Sequence, residues 1–261
     1  MFGRYSDAPS DIDQRGGGLY QTTYSNVDNI KFRTQSLTLG SNQALGPRLT
    51  NEFRFNYSRS RATVSLMLDN FGGAVPPTES GLFPSVSPPQ SSAFEFLGDF
   101  NPHGLRFISG TQDHNLQQQI NVTDNVSFVL GAHQMKFGLD YRRLRPETQF
   151  VPYEIEYIFS SLSNVLANNG PTAYVLSFTR DALVFSNWSL FAQDTWKATR
   201  ALTITYGLRW EYNAAPSAAN GYILPFTATG LDNPATMQLA PPGTPLWNPQ
   251  RHDFAPRLGL A

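Results

Sequence analysis

The chain has 261 residues, with 19 Lys and Arg against 20 Asp and Glu, a formal net charge of −1, and no basic excess of the kind a nucleic-acid partner requires. Only 15% of residues are charged, against roughly 25% in an ordinary soluble domain, while aromatics reach 13%, too many for a disordered chain. Cysteine is absent, which excludes a disulfide scaffold, a thiolate zinc site and a cysteine nucleophile.

No run approaches the roughly 18 apolar residues of a transmembrane helix, so an α-helical membrane protein is excluded. The mean hydropathy of −0.32 leaves a β-barrel open, because strands that alternate between lipid and water average to near neutral. The start, Met1-Phe2-Gly3-Arg4-Tyr5, has neither a basic segment nor an apolar one, so no signal peptide is expected.

In chain order, a short strand remnant at 1–5 precedes a hairpin of strands at 29–43 and 48–61, joined through Ala44-Leu45-Gly46-Pro47. On its second arm Phe53, Phe55 and Tyr57 oppose Glu52, Arg54, Asn56 and Ser58. On its first arm the apolar phase shifts between Phe32 and Leu37, which reads as a bulge or an irregular strand. Next, Leu116, Ile120, Val122, Val126, Phe128 and Leu130 share one face of a strand at 115–130, with Asn and Gln on the other. Gly131-Ala132 turns the chain into a strand where Met135, Phe137, Leu139 and Tyr141 oppose Gln134, Lys136, Gly138, Asp140 and Arg142.

A third hairpin spans 187–212 around Ala198-Thr199-Arg200. Trp188, Leu190, Ala192 and Trp196 share a face, with Asp194 as its exception and Phe191 as the exception on the other. Leu202, Ile204, Tyr206, Leu208, Trp210 and Tyr212 then alternate strictly with polar residues. A last strand at 253–261 completes seven strands plus the remnant.

Between the short turns lie long linkers at about 6–28, 62–113, 148–184 and 214–252, rich in Pro, Gly, Ser and Asn, one with a short helix near Ser160–Ala167. Loops of that length are uncommon inside a compact soluble domain. Their alternation with short turns is the habit of an outer-membrane barrel, with short periplasmic turns and long extracellular loops.

The polar strand faces carry Lys31, Arg33, Glu52, Arg54, Lys136, Asp140, Arg142, Arg209 and Glu211. Charges in that number need water, since burying each unpaired would cost several kcal/mol. The apolar faces need a non-aqueous partner, which leaves a β-sandwich or a water-lined barrel in lipid. Trp188, Trp196, Trp210 and Tyr212 near strand ends fit an interfacial aromatic girdle, and the loop alternation decides for the barrel. The fold class is therefore all-β: an antiparallel meander of about seven to eight long strands forming part of a transmembrane barrel.

The residues also resemble a known family. Asn187-Trp188-Ser189-Leu190-Phe191-Ala192-Gln193-Asp194-Thr195-Trp196-Lys197 and Leu202-Thr203-Ile204-Thr205-Tyr206-Gly207-Leu208-Arg209-Trp210-Glu211-Tyr212 are similar to the "FAQDxWK…LTLxYGLRYE" hairpin of TonB-dependent outer-membrane receptors, in particular the Oar-like group. Asp124–Phe128 through Gly131–Gly138 is similar to that group's "DNxSxxxGxHxxKFG" hairpin, and Phe254–Gly259 to its "FAPRLG" strand. The resemblance implies a signal peptide, a plug domain and a barrel of 22 strands in the whole protein. Over 1–261 no signal peptide, plug, TonB box or terminal-aromatic strand is read, so the chain is expected to be an internal portion of such a barrel.

Covalent chemistry finds no footing. His103, His114, His133 and His252 lie far apart without metal-ligand spacing. Asp11-Ile12-Asp13-Gln14-Arg15-Gly16 resembles a calcium loop only faintly, with Arg at its fifth position and Thr22 where Glu belongs, so an extracellular loop is the better reading. Gly16-Gly17-Gly18 lacks a phosphate-loop frame, and Glu154 with Glu156 read as loop carboxylates. No catalytic residue, metal ligand or cofactor is expected, and no ligand-binding residue can be assigned.

The expected function is uptake of a scarce solute through the outer membrane, with outer-membrane lipid, a plug domain and TonB as partners and no nucleic acid. Iron chelates, vitamins, sugars and peptides all remain open as solutes. One alternative is a small, self-contained barrel serving as a pore or adhesin, for which the segments 1–5 and 253–261 would have to pair. The other is a secreted soluble β-sandwich binding module.

Overall fold

A computed structural model describes residues 1–16, 23–98, 105–150, 153–178 and 180–261. Its backbone is dominated by long antiparallel strands: β1 (Phe2–Arg15), β2 (Asn26–Ala44), β3 (Leu49–Leu68), β4 (Ser92–Gly98), β5 (Leu105–Leu130), β6 (His133–Phe150), β7 (Tyr153–Phe159), β8 (Thr172–Ser177), β9 (Asp181–Lys197), β10 (Thr203–Asn213) and β11 (Asp253–Leu260). Eight of them pair side by side as β1-β2-β3-β5-β6-β9-β10-β11. Neighbours are antiparallel throughout this path, and β1 and β11 are its two edges.

Tight turns at 45–48, 131–132 and 198–202 close one end of the sheet. In the first, the Leu45 N–H donates to the Leu49 carbonyl; in the second, Gly131 adopts the left-handed backbone (φ 60°) that a two-residue hairpin needs. At the other end the strands rise far beyond these hairpins. The 26 residues of β5 reach roughly 85 Å when extended, against an apolar belt about 25 Å tall on a membrane barrel.

Register across the sheet assigns the two faces. On one lie Leu37, Leu39, Phe53, Phe55, Tyr57, Ile120, Val122, Met135, Phe137, Leu139, Leu190, Leu208 and Leu258. Many of these remain open to the surroundings, Phe137, Leu190, Leu208 and Leu258 among them. Asp124, between Phe53 and Leu139, interrupts this face and accepts from Asn51 Nδ2 at 2.6 Å; otherwise the face is apolar and, among the described residues, no second layer covers it, so it belongs in lipid. The aromatic residues sit at its two rims. Trp196 stacks on His133 near the turns (centroids 5.5 Å apart), while Tyr141 packs on Trp188 (4.2 Å) and Trp210 on Tyr212 (6.1 Å) at the far rim.

Above that far rim the polarity of the sheet inverts. Outward positions become Lys31 and Arg33 on β2, Arg59 and Arg61 on β3, and Arg143 and Arg145 on β6. Inward positions become apolar, and Val64, Leu66 and Ile108 are buried there. The phase change between Phe32 and Leu37 is this inversion. The β2 register runs unbroken from Asn26 to Ala44 against β3, so no bulge is present. Lys31 and Arg33 therefore lie on the same side as Leu37 and Leu39, a correction to their assignment to the polar, water-filled face. The one register shift in β3 falls between Val64 and Ser65.

Several expected linkers are strand. The remnant at 1–5 continues to Arg15, where Arg15 forms a two-pronged ion pair with Asp69, placed just beyond β3. This guanidinium, with the Phe71 N–H, holds the Asp69 carboxyl down at about 2. Asp11 and Asp13 both accept from Asn29 Nδ2 at 2.7 Å across the β1–β2 pair, so they are strand residues and not a calcium-like loop. Thr22, Gly17 and Gly18 lie outside the described residues. Within 62–113 and 148–184 the chain forms β4, β7 and β8, with β4 antiparallel to β5, parallel to β7, and β7 antiparallel to β8. The short helix expected near 160–167 is present at Leu162–Leu166, capped by Ser161, whose Oγ accepts from the Asn164 N–H at 3.1 Å.

The two exceptions in the β9 pattern have local causes. Phe191 lies on the inner face over Gly138 of β6, where a Cβ would fall 2.1 Å from its ring, so glycine there makes room for an aromatic cover. Asp194 lies on the outer face at the turn end, accepting from Tyr206 Oη at 2.8 Å and paired with His133 Nδ1 at 2.6 Å.

The face assignment has a direct test. Leu190→Arg, at mid-height on the outer face, is expected to lower the stability of the lipid-inserted protein by about 2–4 kcal/mol. Gln193→Arg, three residues away on the inner face, is expected to change it by less than about 1 kcal/mol. Reversible urea unfolding of each variant in phospholipid vesicles measures both.

Candidate functional site

The inner face at membrane level is lined from β6, β9, β10 and β11. The alternation that sends Leu139, Leu190 and Leu208 outward turns Asp140, Ser189 and Arg209 inward. Asp140, Arg142, Asn187, Ser189, Arg209, Glu211 and Asn213 surround a polar cavity of about 130 Å³. A second cavity of about 270 Å³ adjoins it, bounded by Lys136, Phe191, Gln193, Gly207, Arg209 and Arg257.

The acidic groups here are engaged and the basic ones are largely free. Asp140 Oδ1 accepts from Asn121 Nδ2 at 2.7 Å, and Glu211 Oε1 accepts from Arg209 Nε at 2.6 Å. Arg142 and Arg257 are exposed and make no hydrogen bond or ion pair among the described residues, and Lys136 lies 6.0 Å from the centre of the Phe191 ring. Ser189 is buried with its hydroxyl lacking a partner. Such a strip of unpaired cations over neutral donors can bind and hand on an anionic or hydroxyl-rich solute by hydrogen bonding alone.

Farther out, a second group of charges lies on the continuation of this inner face. Glu95 on β4 is paired with Arg106 on β5 (Nε to Oε1 2.5 Å, Nη2 to Oε2 3.0 Å). Glu154 and Glu156 on β7 stand beside it, Glu156 in register with Glu95. Burial pushes the Glu154 carboxyl up, reinforced by repulsion from Glu95 and Glu156; Glu156 is raised for the same two reasons in that order. The hydrogen bonds from Arg106 to Glu95 raise the guanidinium further. These carboxylates are strand residues of an outer sheet rather than loop residues. Asn26 locks that sheet to β2: fully buried, it donates to the Ile108 carbonyl at 2.6 Å and accepts from the Ile108 N–H at 3.1 Å.

Of the charges assigned from sequence to the polar face, Asp140, Arg142, Arg209 and Glu211 come together in one cavity, with Lys136 in the next. Glu52 and Arg54 pair with each other at 2.5 Å on β3. Lys31 and Arg33 are elsewhere, as described above. Arg257, Asn187, Ser189 and Asn213 were not singled out from the sequence, although their place in the alternation was readable. Glu95 and Arg106 fell in a stretch read as linker. Among the described residues no group of three or more His, Asp and Glu is arranged to hold a metal ion, and His103 lies outside them.

An antiparallel sheet with a lipid-facing apolar side, two aromatic rims and a charged inner side defines an integral membrane β-barrel. A family model for the outer membrane beta barrel domain matches residues 1–261, and the chain belongs to that family. Its place is accordingly the outer membrane, with the turns at 45–48, 131–132 and 198–202 periplasmic and the extended strand ends extracellular. No curated protein and no solved structure matches the chain.

The outer sheet yields a prediction. Arg106→Met leaves Glu95 buried without its counter-charge and is expected to cost about 3 kcal/mol of local stability, read as faster amide exchange in β4 and β5 above residue 113. Glu154→Gln is expected to do the opposite at neutral pH. The raised carboxyl contributes its full stability below the ordinary carboxylate range and loses it as pH rises, and glutamine removes that loss.

Proposed function

We propose that the chain forms part of the barrel of a TonB-dependent transporter that takes up a scarce solute across the outer membrane. The barrel does no covalent chemistry; its inner charges shape the path, a plug domain gates it, and TonB supplies the energy. The observation that carries this reading is the juxtaposition of exposed, unpaired Arg142 and Arg257 with Lys136 along the inner face, which keeps a wet, cationic wall at membrane level. The resemblance supports it further. The three motifs fall on the β9–β10 hairpin, the β5–β6 hairpin and β11, in the order the receptors use. Strands of 14 to 26 residues in β1, β2, β3, β5, β6 and β9 exceed the roughly 9–11 needed to cross, as a tall receptor wall requires.

Eight strands are also enough to close a small barrel, and the small-pore reading is the alternative. The two differ in whether β1 pairs with β11. Electrophoresis of the membrane-inserted chain with and without boiling separates them. The transporter reading expects no compact, detergent-resistant species from this chain alone, because its edges need further strands. A heat-modifiable monomer carrying ion current in a planar bilayer would contradict it and favour the small pore.

A further inference from the structure

The polarity inversion on the outer surface places a set of arginines where headgroups must lie. Tyr57 on β3 and Tyr141 on β6 mark the upper rim of the lipid-facing band. The next outward positions are Arg59 and Arg61 on β3, and Arg143 and Arg145 on β6. At about 6.8 Å per two residues on a strand tilted by roughly 40°, these side chains stand roughly 5 Å and 10 Å above the rim. That interval is the headgroup layer, which begins where the hydrocarbon ends.

Carboxylates on the same surface do not neutralise this belt. Asp7 pairs with Arg33, Asp11 stands 3.8 Å from Lys31, and Glu147 is held by Tyr222 Oη at 2.8 Å with Arg145 3.5 Å away. Among the described residues Arg59, Arg61 and Arg143 have no carboxylate partner, and the Nε atoms of Arg59 and Arg145 are buried donors without an acceptor. Arg61 also sits directly opposite Arg33 in the β2–β3 register, and because Asp7 is taken up by Arg33, Arg61 is the one of the two left without a counter-ion among the described residues. An open groove of about 570 Å³ lies at that point on the outer surface, lined by Pro9, Asp11, Lys31, Arg33, Arg61 and Thr63.

We propose that this belt is a binding surface for phosphate-bearing lipid headgroups of the outer leaflet, with the groove beside Arg61 as one seat and Arg59, Arg143 and Arg145 as its continuation. Guanidinium forks match phosphate oxygens two at a time, and each cation at a membrane surface is worth about a fivefold gain in binding to anionic lipid. Lipid tails on the apolar band below and phosphates on the belt above hold the barrel at one depth. The inference rests on the barrel being in lipid and is independent of what it transports.

The chain contains its own reporter, since Trp188 lies at the upper rim, packed against Tyr141 directly below Arg143. The full chain is inserted into phosphatidylcholine bilayers holding increasing fractions of phosphatidylglycerol brominated on its acyl chains. Tryptophan quenching then gives the preference for phosphatidylglycerol over phosphatidylcholine. The expected preference is at least fivefold at low salt, falling toward unity in 0.5 M NaCl as exposed charges are screened. Arg59→Gln, Arg61→Gln and Arg143→Gln combined are expected to abolish it, while the inward-facing Arg142→Gln keeps it. Quenching of the unaltered chain no greater than the phosphatidylglycerol fraction of the bilayer accounts for overturns the proposal, as does a preference that survives the triple substitution. Should the triple variant not insert, the salt series on the unaltered chain decides: a preference unchanged in 0.5 M NaCl contradicts a charged belt.

Discussion

Hydrocarbon offers the backbone no hydrogen bonds, and that constraint shapes this molecule. Every N–H and C=O within the membrane has to find its partner on a neighbouring strand, so the chain runs as a meander whose successive long strands pair laterally. Once the backbone is satisfied sideways, period-two alternation leaves each strand with one side in lipid and one in the interior. The apolar row through Phe55, Val122, Tyr141 and Trp188 and the polar row through Ser127, Lys136 and Gln193 are two consequences of one pairing scheme. A side chain that breaks the pattern needs local compensation: Phe191 covers a glycine, and Asp194 is bound by a tyrosine and a histidine at the membrane's edge.

Above the membrane the constraint lifts, and the chemistry of the faces changes with it. Water replaces lipid outside, so the outward positions of β2, β3 and β6 become arginine and lysine. Inside, the apolar residues Leu66 and Ile108 are buried, while β4, β7 and β8 extend the sheet edge to edge from β5. The interior is therefore cationic at membrane level around Arg142 and Arg257 and acidic at its outer end around Glu95, Glu154 and Glu156. The two fields follow one another along the inner face, with the carboxylates at its outer end.

The hairpins β2–β3, β5–β6 and β9–β10 were legible in the sequence because within the membrane alternation and turn chemistry agree: Phe53-Arg54-Phe55-Asn56-Tyr57 and Gly131-Ala132 leave little choice. What was illegible lies above the rim. β1 carries Asp7, Pro9, Asp11 and Asp13 on its outward side and, apart from Ile12, small or polar residues on the other, a pattern without lipid to sort it, so it reads as loop beyond Tyr5. On β2 the change of solvent looked like a change of phase, which misplaced Lys31 and Arg33. For the inner site, Asp140, Arg142, Arg209 and Glu211 were recognisable as polar-face charges. Their convergence depends on the register of β6, β9 and β10, which spacing along the chain does not contain. Glu95 and Arg106 meet only through long-range pairing of β4 with β5.

The most direct test of the inversion uses the absence of cysteine from the chain. Single cysteines placed along β6 from 133 to 147 and spin-labelled in bilayers report oxygen, which concentrates in lipid, and a water-soluble nickel complex. Labels at 135, 137, 139 and 141 are expected to favour oxygen and their even neighbours nickel, with the odd positions 143, 145 and 147 switching to nickel. Odd labels that favour oxygen all the way to 147, or nickel already at 137 and 139, would contradict a lipid-facing band that ends at Tyr141.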